Sequence, residues 1–148
     1  MTTVYATLLS VRKIEERQAE IDFAEAQRDV VQSEQALDSV RAARAAWLDD
    51  HLDGSGTGGT TNLAEMLTRM EVVEREAERQ RDHASRRMDE RRAALIEAQR
   101  RRQAVEDLHT AVLEAEARTR MRRAQAELDD LAGISAHARK ETNDTDLI

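Results

Sequence analysis

Cysteine and proline are both absent from this chain of 148 residues. Without cysteine there are no disulfides, thiol nucleophiles or Cys-based metal sites, and a reducing compartment is compatible. Without proline nothing removes a backbone donor or forces a kink, so long uninterrupted helices are permitted. Aromatic residues make up only 2% of the chain, one Trp, one Tyr and one Phe, which leaves little to fill a deep core. Glycine is almost confined to one place: four of the five lie in the stretch LDGSGTGGTTN from Leu52 to Asn62. Long apolar runs are also missing. The opening MTTVYATLLSVRKIEERQ has only a short apolar patch, too short for a signal-peptide core or a membrane span, so a cytoplasmic location is expected. A net charge of −7 argues against a nucleic-acid partner.

What is present is charge and helix-forming residues. Charged residues are 36% of the chain, and Ala, Glu, Arg, Leu and Gln dominate, the compositional mark of a coiled coil or long helix. Disorder shares that polarity, but both long segments carry ordered apolar stripes. The glycine-rich stretch is the one convincing loop, and Thr60, Thr61 and Asn62 supply candidate caps for the helix after it, with Glu65 completing a capping arrangement. The expectation is an all-α, elongated, two-helix antiparallel coiled-coil hairpin forming one domain over 1–140. Helix 1 covers about 4–50, the loop about 51–62 and helix 2 about 63–138, with fraying after Gly133 and a disordered tail at 141–148.

Spacings of three and four residues define the seam. In helix 1 the register reads Tyr5, Leu9, Arg12, Glu16, Ala19, Phe23, Ala26, Val30, Ser33, Leu37, Val40, Arg44 and Trp47. Helix 2 opens with Leu63, Met66, Met70, Val73 and Ala77. It then shifts through Ala84, Met88, Leu95 and Ala98 to Val105, Leu108, Val112 and Ala115, and shifts again to Ala117, Met121, Ala124, Leu128 and Leu131. Such breaks resemble stutters. Pairing residue 50 with residue 63 sets Val4 opposite roughly His109 and leaves about 29 helical residues of helix 2 beyond helix 1, roughly 40 Å at 1.5 Å per residue.

Catalytic constellations are hard to find. His51, His83, His109 and His137 are scattered without ligand spacing, carboxylate pairs such as Glu15 with Glu16 or Asp129 with Asp130 are those of any polar helix, and two thin helices offer no dry cavity. DGSGTGG lacks both the Lys-Ser/Thr ending and the preceding strand of a phosphate-binding loop. A non-enzymatic protein without cofactor or metal is expected. Two features suit binding to other proteins. Helix 2 carries arginines at 86, 87, 91, 92, 100, 101 and 102 and again at 118, 120, 122 and 123, either a solvated face or a dock for an acidic partner. Near the loop, Val40 and Trp47 stand opposite Met66, Met70 and Val73, residue types that either close the hairpin or meet a partner.

Three segments carry a resemblance across nearly the whole chain: LLSVRKIEERQAEIDFAEAQRDV, RAARAAWLDDHLDGSGTGGTTNLAEMLTRMEVVERE around the turn, and RTRMRRAQAELDDLA near the C-terminus. Their order, the chain length and the loop position resemble the FliJ family of the flagellar type III export apparatus. The resemblance implies a helical stalk like the rotary ATPase gamma subunit. Its paired chain ends would enter the pore of a hexameric export ATPase and stimulate it, through Leu8, Val11, Arg118, Met121, Arg122 and Leu128. It further implies that the loop-proximal half contacts the cytoplasmic domain of the export gate, at Val40, Ala43, Trp47, Met66, Met70 and Val73, with Ala43 standing where a larger aromatic is expected. Export chaperones are further implied partners, and the location implied is peripheral to the inner membrane's cytoplasmic face.

The alternatives to that resemblance are an injectisome stalk protein, with the same architecture in a different host machine, and a generic coiled-coil scaffold whose exposed stripes pair between chains. A small secreted hairpin with Trp at its bend needs a W-x-G turn, which Trp47-Leu48-Asp49 does not supply.

Overall fold

The structure, a computed structural model, describes residues 2–52 and 60–146. Two helices account for nearly all of them: α1, Thr2–Leu52, and α2, Thr60–Thr145. The glycines at 54, 56, 58 and 59, and the side chains of Thr60 and Thr61 proposed as caps, lie outside the described residues. Because α2 begins at Thr60, Asn62 sits within its first turn and is not a cap. At the other end α2 runs through Gly133, where a Cβ would meet open space, and past the expected end at 138 to Thr145. Nothing in that stretch breaks a helix: the only glycine is isolated, a modest propensity cost, and no proline follows.

Contacts group the chain into two compact units, Arg12–Arg102 and Met1–Val11 with Gln103–Ile148. In the first, α1 and α2 run antiparallel. Glu16 pairs with Arg102, Asp22 with Arg91 at 3.9 Å, and Arg41 with Glu74 at 3.2 Å, so the partner number falls as the α1 number rises. In the second unit the pairing is marked by Thr2, whose hydroxyl lies 2.8 and 3.0 Å from the two carboxylate oxygens of Glu116. Thr2 therefore meets a residue several positions further along α2 than a pairing of Val4 with His109 requires.

Every seam position read from helix 1, from Tyr5 to Trp47, is buried or half-buried, with Ala26 and Leu37 fully so. The α2 seam differs from the expected one. Its inward positions are Leu63, Leu67, Met70, Glu74, Ala77, Arg81, Ala84, Met88, Leu95, Ala98, Arg102, Val105, His109, Val112 and Glu116. With the partly exposed Arg91 between Met88 and Leu95, the three-four spacing is unbroken, and the stutters expected up to Ala115 do not occur. Met66, Val73, Leu108 and Ala115, assigned to the seam on their apolarity, are exposed. The reason is geometric: a partner helix selects positions by the 3.5-residue period, so Glu74 and Arg102 take seam places that an apolar stripe would deny them. Beyond Ala117 every described α2 residue is exposed.

Leu37 is 2% exposed, the most deeply buried large side chain among the described residues, whereas Ile14 on the same helix is 69% exposed. Leu37→Ala should therefore lower stability by about 2–4 kcal/mol through lost burial and the cavity left behind. Ile14→Ala should change it by less than about 0.5 kcal/mol. Urea denaturation followed by far-UV circular dichroism distinguishes the two.

Candidate partner-binding surfaces

The loop-proximal surface is built where the exposed Ala43, Met66, Arg69 and Val73 flank the half-buried seam residues Val40, Arg44 and Met70. Val40, Ala43 and Arg44 of α1 and Met66, Arg69, Met70 and Val73 of α2 line one open groove of ≈ 260 Å³. Five of the six residues that the family resemblance assigned to the export gate thus lie together. Trp47 does not line this groove: one turn further on, its ring stacks on that of His51 with centroids 4.1 Å apart and planes 19° from parallel. The same histidine holds Nδ1 2.8 Å from the Trp47 carbonyl oxygen. The exposed lining of the groove is almost wholly apolar, and the Arg44 guanidinium that borders it is engaged by Glu74.

A charge network holds the groove's two walls in register. Arg44 Nη1 donates to Glu74 Oε2 at 2.6 Å, and Arg41 reaches Glu74 Oε1 through Nε and Glu78 Oε1 through Nη2, each at 3.2 Å. Glu74 is the inward member, with its side chain 16% exposed. Hydrogen bonds from Arg44 and then Arg41 hold its carboxyl below the usual carboxylate range. The hydrogen bonds to Glu74 and Glu78 in turn raise the Arg41 guanidinium above its ordinary value. Arg44 Nε is buried without a partner, as is Arg12 Nε, so these seam arginines carry a desolvation cost that their ion pairs offset only in part. The alternation of three and four residues applied without regard to polarity finds Glu74; a search for apolar side chains misses it.

The residues that the resemblance assigned to the ATPase ring are arranged differently. Leu8 and Val11, 36% and 45% exposed, line a shallow groove on α1 alone with Thr3, Val4 and Thr7. Arg118, Met121 and Arg122 stand at i, i+3 and i+4 on α2, one face of one turn, and Leu128 lies two turns beyond Met121 on the same stripe. All four are exposed.

The arginines divide by environment. Arg91 and Arg102 pair across to α1, Arg92 places its guanidinium 5.7 Å from the centre of the Phe23 ring, and Arg101 bonds Glu97 one turn away. The first three join α2 to α1, and Arg101 supports only its own helix. Arg118, Arg120, Arg122 and Arg123 form no ion pair with any described residue. His137 lies 3.4 Å from Glu141, and no group of three or more metal-ligating side chains occurs among the described residues. No described helix is long and apolar enough to cross a membrane.

The fold and these surfaces define a class: a helical-hairpin protein whose exposed grooves and stripes are suited to contact with other proteins. The chain belongs to the FliJ family, the model of which, described as the flagellar FliJ protein, matches residues 2–141. It is thereby a component of the flagellar export apparatus. No curated protein and no solved structure matches it.

The depressed Glu74 pKa has a defined consequence. Its contribution to stability is fully present above the ordinary carboxylate value of 4.5 and is lost as pH falls through the lower folded-state value. Glu74→Gln should melt below the parent near neutral pH, and the gap should close as pH drops below 4.5. A constant gap across that range in thermal melts by circular dichroism would show that the carboxylate's charge is not what stabilises the pairing.

Proposed function

We propose that this protein is the central stalk of the flagellar type III export machine, stimulating the hexameric export ATPase at one surface and contacting the export gate at another. The observation that carries the reading is the uncovered end of α2: every described residue past Ala117 is exposed, and the unpaired arginines lie beside Met121 and Leu128. A helix this polar gains little stability in isolation, so a surface of that kind is suited to completion by a partner. Arg118, Met121, Arg122 and Leu128, with Leu8 and Val11 on α1, are the residues proposed to meet the ring. The apolar groove at Val40, Ala43, Met66, Met70 and Val73, with Trp47 beside it, is proposed to meet the cytoplasmic domain of the gate. Export chaperones are proposed to bind the same uncovered helix, and the protein is proposed to work at the cytoplasmic face of the inner membrane.

The stalk needs no bond-making chemistry of its own. It binds one state of the ring better than another, and that difference in contact free energy biases the ATPase cycle.

Turnover of the purified export ATPase should rise with the full chain and fail to rise with Met121→Asp/Arg122→Glu, while Met70→Asp and Trp47→Ala should still stimulate it. Affinity for the gate domain, measured by titration calorimetry, should follow the opposite pattern, with at least about a tenfold loss for Met70→Asp. No change in turnover or ring assembly with any version would defeat the stalk reading and favour a scaffold.

A further inference from the structure

Between Ala117 and Leu131 the apolar stripe of α2 no longer continues the paired seam. Three-four spacing carried on from Val112 and Glu116 reaches Thr119, Arg123, Ala126 and Asp130, whereas the apolar residues are Ala117, Met121, Ala124, Leu128 and Leu131. The stripe is therefore rotated by a residue or more, at least about 100° around the axis, from the face that α1 covers. Met121 is 73% exposed and Leu128 61%. This face is not covered by α1.

The residues flanking the stripe identify the occupant. Arg120 and Glu127, one heptad apart, border it on the same side, and so do Leu113 and Ile134, one heptad further out in each direction. An antiparallel copy of the same helix, set with Met121 against Ala124 and Ala117 against Leu128, brings Arg120 opposite Glu127 and Leu113 opposite Ile134, each pair twice. Leu113 and Ile134 are both exposed in the monomer, and Arg120 and Glu127 have no ion-pair partner among the described residues. A parallel copy in register places Arg120 beside Gln125 and Glu127 beside Ala132, and forms no ion pair. Antiparallel pairing also sets the two helix dipoles in opposition, which favours association.

We propose that two copies of this chain associate as an antiparallel two-fold dimer through the 113–134 segment of α2. The interface is isologous and closed, so it yields a dimer and not a filament. The stripe is the one assigned above to the ATPase ring, so self-association and ring docking compete; the pairing itself does not rest on that assignment.

Sedimentation equilibrium of the full chain over a range of concentrations reads the dimer directly. Arg120→Glu and Glu127→Arg, each alone, set like charges opposite one another twice and should weaken the dimer at least about tenfold. The double variant Arg120→Glu/Glu127→Arg reverses both partners and should restore it. Ile134→Asp should also weaken it, and circular dichroism should show all four variants as helical as the parent. A monomer at every concentration overturns the proposal, as does a dimer that ignores the charge reversals or that Met70→Asp abolishes instead.

Discussion

Two thin helices can bury side chains only along the line where they touch, and that constraint governs the rest of the molecule. An α-helix meets one partner through positions spaced three and four residues apart, and whatever occupies those positions goes inward regardless of its polarity. From Leu63 to Glu116 the spacing in α2 holds without a break and takes in Glu74, Arg81, Arg102, His109 and Glu116. Fully buried side chains are correspondingly few: Ala26, Leu37, Ala84 and Val105 among the described residues.

Polar seam residues then have to find one another. Glu16 meets Arg102, and Glu74 meets Arg44 and Arg41. Such pairs are a weak source of net stability, because much of their attraction offsets desolvation, but a shift of register would strand each member against an apolar neighbour. They select one pairing among the several that Ala-rich helices otherwise permit. Exposed ion pairs within a helix, such as Arg75 with Glu71 and Arg101 with Glu97, add little beyond local helix stability.

The same constraint explains why the binding surfaces are open. A hairpin has no interior in which to enclose a ligand, so recognition falls on shallow grooves beside the seam and on helix faces that no second helix covers. The groove at Val40, Met66 and Met70 is of the first kind and the stripe at Met121 and Leu128 of the second. Met66 and Val73 are available at the groove because the seam passes through Leu67 and Glu74.

Two helices flanking a glycine-rich stretch, and the whole α1 seam from Tyr5 to Trp47, were legible in the residues themselves, because α1 keeps one apolar-dominated register from end to end. The α2 seam was legible only in part: Leu63, Met70, Ala77, Ala84, Met88, Leu95, Ala98, Val105 and Val112 are inward as read, but apolar side chains on this helix lie on two faces and their order along the chain does not say which face has a partner. Met66, Val73 and Leu108 read as seam and are exposed; Arg102 read as part of a solvated or docking face and is inward, as is Glu74, which an apolar stripe passes over. Among the residues tied to the export gate, the sequence could not separate Trp47, which stacks on His51, from the five that line the groove. By itself, then, the sequence determined helix content and the α1 register, which depend on local propensity and on a period repeated within one segment. Only the tertiary structure decided which α2 face is covered, which charges meet across the hairpin and where pairing ends, because these depend on the register between two segments distant in the chain.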